Sequence, residues 1–164
     1  MQIRPAALID IDAIMACERQ PGYEDFVGRW TREQHAMGIA DPTHRYLIAV
    51  EGNGQISGYL MLQRARSSSE SVLIKRIAVM RPREGVGRAL IERAFSIVFD
   101  ELAAKKVTLT VRPHNERGIA LYSSVGLIND GVEEVLRNGQ PEFNTVMSMY
   151  ADAYYLNRHA TKIG

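Results

Sequence analysis

Between residues 72 and 105 the spacing of the apolar residues changes from that of a β-strand to that of an α-helix. Val72–Val79 has the branched content of a strand. From Gly85 to Lys105, apolar residues recur at the three- and four-residue intervals of an amphipathic helix. Residues 81–88, with the sequence RPREGVGR, form the loop between them. The chain must therefore contain a strand–loop–helix unit.

This loop has the features of an anion site. Gly85 and Gly87 leave backbone amides unshielded, and the first turn of a helix has unpaired N–H groups at the positive end of its dipole. Such a site suits a phosphate or pyrophosphate, and Arg81, Arg83 and Arg88 add cationic donors. Two glycines also occur in tight turns that bind nothing, an alternative that the loop alone leaves open.

The loop differs from two familiar phosphate-binding motifs. It has no Gly-Lys-Ser/Thr, which excludes the loop of nucleoside triphosphatases. Leu90 stands where the dinucleotide fingerprint has its third glycine, and antiparallel strands precede the loop instead of an opening βαβ unit.

The remaining pattern predicts a mixed α/β fold with a mostly antiparallel central sheet flanked by helices. The predicted strands are Met1–Arg4, Arg45–Glu51, Ile56–Arg64, Val107–Val111, Val132–Leu136 and Phe143–Tyr150. The predicted helices are Asp10–Glu18, Tyr23–Met37 and Asn115–Ser124. No repeat or linker divides the chain, so we expect a single domain over residues 1–150 and a C-terminal tail over 151–164.

Composition excludes several classes of protein. With 20 Lys and Arg against 19 Asp and Glu, the net charge of +1 is too small for a general nucleic-acid binder. Cys17 is the single cysteine, which excludes an internal disulfide and favours a cytoplasmic setting. No apolar run approaches the roughly 20 residues of a membrane helix, so no membrane association is expected. The four histidines have no metal-ligand spacing, so no metal is predicted.

A second motif follows the next predicted strand. Asn115 can cap a short helix, and Tyr122 lies seven residues later, two turns away on roughly the same face. A capped helix with a half-buried tyrosine is the purely structural alternative.

Together, RIAV-x5-GVGRALI and TLTVRPHNERGIALYSSVGL resemble the GNAT superfamily of acetyl-CoA-dependent N-acetyltransferases, most strongly over Arg76–Leu127. The resemblance implies that the strand before the glycine loop splays from the next parallel strand. The resulting cleft would accept the pantetheine arm of acetyl-CoA, which is the expected co-substrate.

The resemblance also assigns site residues. Tyr122 matches the general acid that protonates the departing thiolate and is the expected catalytic residue. Asn115 matches a position that contacts the arm of the cofactor. The strand end that pairs with pantetheine and faces the acetyl carbonyl corresponds to Ile77, Ala78 and Val79. The pyrophosphate loop corresponds to Arg83, Glu84, Gly85, Val86, Gly87, Arg88 and Ala89.

Three positions depart from the family pattern. Pro82 replaces the usual Gln or Arg, and Leu127 replaces a Phe. Lys75 stands where many members have a glutamate base, with Arg76 beside it. A cation at this position disfavours an ammonium substrate unless the amine binds deprotonated, and it leaves the base unassigned. His44, before a strand on the expected acceptor side, is either a base or a surface histidine.

The expected activity is acetyl transfer from acetyl-CoA to a primary amine by direct attack in a ternary complex. The acceptor is a small molecule, such as a polyamine, an amino acid or an amine-bearing antibiotic, or a protein N-terminus. The alternative is a non-catalytic acyl-CoA-binding regulatory module with the same fold. Dimers are common in the family, so the resemblance also allows a homodimer.

Overall fold

The computed structural model describes residues 1–163, and their side chains as far as His159. Seven strands form one sheet in the order β1-β2-β3-β4-β5-β7-β6. The strands are β1 (Gln2–Pro5), β2 (Arg45–Val50), β3 (Ile56–Gln63), β4 (Val72–Val79), β5 (Lys106–Val111), β6 (Ile128–Arg137) and β7 (Gln140–Tyr150). The helices are α1 (Ile11–Glu18), α2 (Arg32–Ala40), α3 (Val86–Phe95), α4 (Glu116–Ser124) and α5 (Ala151–Ile163). The predicted fold class is confirmed.

The sheet splits in its middle. β4 and β5 run parallel and pair only at Val72 with Val107 and at Leu73 with Thr108, whereas the other neighbouring strands are antiparallel. Beyond Leu73 the two strands diverge, as the family resemblance implied. The N–H of Met80 donates to the carbonyl of Ser57 in β3. Because backbone groups alternate along a strand, those of Ile77 and Val79 point away from β3 into the gap.

The two faces of the sheet are covered by different helices. Residues of α3 pack with β4, β5 and β7 in the larger cluster, which includes Leu90 and Val98. On the other face, Ile14 and Cys17 of α1 pack with Tyr59 of β3 and Ala78 of β4. The α1 side therefore covers only the first half of the sheet.

The prediction of a helix over Tyr23–Met37 is wrong for its first part. Helix α2 begins at Arg32, because Thr31 caps it and forms a reciprocal capping box with Gln34. Residues 20–31, which we call the α1–α2 segment, form turns. Tyr23, Val27 and Trp30 have helical spacing, but they pack from these turns against the core.

The chain also differs from the prediction in two later places. The helix expected up to Lys105 changes after Phe95 into a π-helical turn over Ser96–Glu101. The expected C-terminal tail forms α5. The ring of Tyr154 in this helix stacks at 4.8 Å on Phe99, and the hydroxyl of Tyr155 donates to the Phe99 carbonyl at 2.7 Å.

Candidate functional site

A cleft of about 720 Å³ opens at the gap between β4 and β5. The end of β4, the glycine loop, α4 and the α1–α2 segment form its walls. Ten of the predicted site residues line it: Ile77, Ala78, Val79, Arg83, Gly85, Val86, Gly87, Arg88, Asn115 and Tyr122. Glu84 and Ala89 are not among the lining residues. The structure therefore brings the two sequence motifs together at one site.

The glycine loop presents unpaired amides to this cleft. Gly85 is the N-cap of α3 with a φ of 80°, and no side chain caps the helix. Arg83 also has a left-handed φ of 68°, a conformation that costs a non-glycine residue energy and recurs at ligand-binding turns. Successive amides in such a turn form a concave anion site.

The three arginines of the loop differ in their contacts. Arg81 pairs with Glu84 at 3.4 Å, and Arg88 donates to the Ser124 hydroxyl at 2.7 Å, which ties α3 to α4. Arg83 has no ion pair or side-chain hydrogen bond with the described residues. Among the three, Arg83 is the guanidinium left available to an anion.

Gly87 has a packing role that the sequence did not reveal. A Cβ added there would lie 3.1 Å from Cδ2 of Leu121, closer than ordinary van der Waals contact. The glycine thus lets α3 approach α4 closely, in addition to leaving its backbone unshielded at the cleft.

Helix α4 carries the two predicted residues of the second motif. The Asn115 side chain accepts a hydrogen bond from the Gly118 amide at 3.0 Å, so the predicted cap is present. Tyr122 is partly buried against the larger core cluster, and its hydroxyl makes no hydrogen bond with the described residues. Burial, with a smaller contribution from nearby Tyr23, raises the pKa of Tyr122 to about 12. The hydroxyl is therefore a protonated donor at neutral pH.

The α1–α2 segment covers one side of the cleft through two contacts. The Tyr23 hydroxyl donates to the Val79 carbonyl at 3.0 Å, and burial raises the pKa of this tyrosine. The Phe26 ring lies 5.0 Å from the His114 ring in the β5–α4 loop. Sequence analysis missed these contacts, because it placed Tyr23 and Phe26 in a helix over Tyr23–Met37 and their partners lie far along the chain.

Arg76 does not face the cleft as a free cation. A register shift between Met61 and Leu62 leaves Lys75 exposed without a partner on β3. The Arg76 guanidinium lies on the α1 face of the sheet, where its Nη1 is 3.3 Å from Glu18 Oε1. It also lies 4.8 Å from the centroid of the Trp30 ring, a cation–π contact.

Glu18 is the central acceptor of this buried group. Its side chain is 0% exposed, and it accepts a 2.6 Å hydrogen bond from the Tyr59 hydroxyl, while Nε2 of His35 lies 2.7 Å away. Burial opposes its ionisation, but the contacts with His35 and Tyr59 outweigh burial and lower the pKa of Glu18. The sequence showed this residue only as the last position of a predicted helix.

The residues that line the cleft include two side chains of a type that can act as a general base. They include one carboxylate, Glu116, and one imidazole, His114. His44 lies outside the cleft, with Nδ1 at 3.1 Å from Asp41 and Nε2 at 3.1 Å from Gln63.

In the part of the chain that the structure describes, no group of acidic, histidine or cysteine side chains is arranged to hold a metal ion. None of the helices there has the length and apolar content to span a bilayer.

Comparison with known proteins agrees with this geometry. The sequence model of the acetyltransferase (GNAT) family matches residues 11–127. A point mutant of spermidine N-acetyltransferase SpeG from Vibrio cholerae superposes with a TM-score of 0.76 at 22% identity, over 97% of this chain and 99% of that one. A chimera of SpeG with hSSAT gives 0.78 at 22% identity, over 94% and 97%. The structure of smu.2055 from Streptococcus mutans UA159 gives 0.76 at 21%, over 92% and 99%. No curated protein matches the chain.

Proposed function

Because the chain belongs to the GNAT acetyltransferase family, we propose that it transfers an acetyl group from acetyl-CoA to a primary amine by direct attack in a ternary complex. The observation that carries the proposal is the edge of β4 that β5 leaves unpaired beyond Leu73. The backbone of Ile77 and the N–H of Val79 face a cleft that also contains the glycine loop and the Tyr122 hydroxyl, which has no hydrogen bond with the described residues, whereas the Val79 carbonyl accepts from Tyr23.

The residues present fit acetyl-CoA as the co-substrate. The amides at the start of α3, together with Arg83, offer donors for a pyrophosphate. The edge of β4 offers alternating N–H and C=O groups to the amide-bearing pantetheine arm. Pro82 has no N–H to contribute, so Arg83 supplies the contact that the family pattern gives to Gln or Arg.

The proposed acetyl transfer needs two contributions from the protein, one at the carbonyl oxygen and one at the leaving sulfur. The amine reacts as the free base: its nitrogen forms a bond with the acetyl carbon and loses one proton to solvent, while the bond from that carbon to sulfur breaks. Backbone N–H groups of β4 stabilise charge on the carbonyl oxygen. Tyr122, which its raised pKa of about 12 keeps protonated, donates its proton to the leaving sulfur and recovers a proton from solvent afterwards.

Direct attack also agrees with the state of the single thiol. Cys17 is fully buried on the α1 face, and burial raises the pKa of its thiol to about 12. A thiol in this state is a poor nucleophile, so an acetylated cysteine intermediate has no support.

We propose an amine acceptor that is cationic in solution. Arg76 pairs with Glu18 and neither Lys75 nor Arg76 lines the cleft, so the obstacle that the sequence indicated for an ammonium substrate is smaller than expected. The spermidine N-acetyltransferase SpeG shares the fold at 22% identity, which makes spermidine the first probe. We also propose a homodimer of single N-acetyltransferase domains. One SpeG structure of this fold is a dodecamer, and Val132 and Leu136 on edge strand β6 are exposed here.

An amine panel tests the activity. Purified protein is mixed with acetyl-CoA and spermidine, spermine, lysine, a short peptide or an aminoglycoside, and the release of free thiol is followed. We expect release that depends on the amine, and acetyl-CoA binding by calorimetry without any amine. Binding with no amine-dependent release across the panel would instead support the acyl-CoA-binding module. Absence of binding would refute both functions.

A further inference from the structure

The wall formed by the α1–α2 segment is the one that the proposed cofactor site does not use. Tyr23, Phe26 and Val27 line the cleft from this segment. The other walls are β4, the glycine loop and α4, which the proposed function assigns to acetyl-CoA. On that function, which this inference extends, the α1–α2 segment is the surface left to contact the amine.

The two ends of this segment are joined at Glu18. The Trp30 amide donates to Glu18 Oε2 at 3.3 Å, and Arg19, which pairs with Glu18 at 3.1 Å, also donates to the Trp30 carbonyl at 3.0 Å. Arg76 connects the junction to β4, because its guanidinium contacts both Glu18 and the Trp30 ring. The segment is thus held at its base by a buried charge pair between α1 and β4, the strand that forms another wall of the cleft.

Gly28 shows how closely the segment packs on Arg76. A Cβ added at Gly28 would lie 2.5 Å from Nη2 and 2.8 Å from Nε of Arg76, far inside normal contact. The backbone of Gly28 is outside the left-handed region, so the requirement for glycine is steric. Arg76 is held between Glu18 and Trp30, which limits its ability to move aside.

We propose that Glu18, Arg76 and Gly28 are positioning residues that set the distance between the α1–α2 segment and the cleft, and with it the affinity for the amine. None of the three lines the cleft, so each acts through the segment. The buried pair also has an electrostatic consequence. The Arg76 guanidinium is held against the Glu18 carboxylate, so its charge repels a cationic acceptor less.

Gly28→Ala tests the proposal, with Gly52→Ala as the matched control. A Cβ at Gly52 meets nothing within 4 Å, and its φ is also outside the left-handed region. For Gly28→Ala we expect the KM for spermidine to rise about fivefold or more, with the Kd for acetyl-CoA within about twofold of wild type. Gly52→Ala should change neither value. Equal KM values for the two variants would overturn the proposal.

A second readout needs no turnover. Trp30 is the single tryptophan and lies on Arg76, so acrylamide quenching of its fluorescence reports the junction directly. We expect stronger quenching in Gly28→Ala than in wild type or Gly52→Ala, and unchanged quenching refutes the positioning role. If no amine is turned over even by the wild type, the proposed function fails, and quenching still decides whether the junction is rigid.

Arg76→Gln covers the case in which Gly28→Ala does not fold. The substitution removes the guanidinium that contacts both Glu18 and the Trp30 ring, so this variant should show the raised KM by itself. The same guanidinium is the group that the added methyl group of Gly28→Ala would strike. In the Arg76→Gln background, Gly28→Ala should have little further effect if the clash is with Arg76. A wild-type KM in Arg76→Gln, or fully additive effects in the double variant, would contradict the proposal.

Discussion

Replacing Tyr122 with Phe removes one hydroxyl from the cleft and leaves the ring in place. In the structure that hydroxyl has no hydrogen bond with the described residues, so its loss leaves no buried partner unsatisfied. We therefore expect the free energy of unfolding to change by no more than about 0.5 kcal/mol. A positioned acid contributes about 10²–10⁴-fold to a rate, so kcat should fall at least about tenfold, roughly 1.4 kcal/mol in the barrier.

Tyr23→Phe is the matched comparison for stability. The Tyr23 hydroxyl donates to the Val79 carbonyl at 3.0 Å, so removing it breaks a bond and should cost about 0.5–1.5 kcal/mol. For a chain of this size, 1 kcal/mol lowers Tm by about 2–4 °C. Tyr155→Phe serves as the activity control, because Tyr155 in α5 donates to the Phe99 carbonyl and does not line the cleft.

The assay measures kcat, acetyl-CoA affinity and Tm for the three variants. The expected pattern is a lower kcat with an unchanged Tm for Tyr122→Phe, a lower Tm for Tyr23→Phe, and a wild-type kcat for Tyr155→Phe. If Tyr122→Phe keeps its kcat and loses stability, Tyr122 is a packing residue and its role as the acid is refuted.

Three further predictions follow from the site. Gly85→Ala, at a φ of 80°, should weaken acetyl-CoA binding about tenfold through a strained loop, whereas Gly139→Ala, at 77° in the β6–β7 hairpin, should leave calorimetric affinity unchanged. The transfer rate should rise with pH as free amine accumulates, with no loss from Tyr122 below about pH 11; an acidic limb near pH 4–5 would reveal a carboxylate base. Glu18→Gln should lower the free energy of urea unfolding at neutral pH by about 3–5 kcal/mol, because it leaves Arg76 buried without its counterion. The pKa of Glu18 is lowered on folding, so the wild type should lose this stabilisation as pH falls below the ordinary value of 4.5, and a constant difference from the variant down to acid pH would contradict the assignment.

The sequence determined the local features of the site. The strand, the glycine loop and the start of α3 follow from the period of apolar residues and from the conformational freedom of Gly85, and all of these signals lie within a few residues of each other. The Asn115 cap is equally local, since its partner is the Gly118 amide. Two such motifs in the right order were enough to identify the family.

Local signals also misled the prediction where tertiary packing decided the outcome. Tyr23, Val27 and Trp30 have the spacing of a helix face, yet they reach the core from turns. The capping box at Thr31 fixed where α2 begins, and the expected tail became α5 because aromatic residues of that helix could pack on Phe99.

Only the tertiary structure decided which distant side chains form ion pairs or hydrogen bonds with each other. Tyr23 bonds a carbonyl 56 residues away, and Glu18 meets Tyr59 and Arg76 at separations of 41 and 58 residues. No periodicity links positions so far apart, because their meeting depends on how α1 and the following turns lie across the sheet. The sequence therefore showed Lys75 with Arg76 beside it as an obstacle to an ammonium substrate, and the packing of α1 supplied the carboxylate that pairs with Arg76.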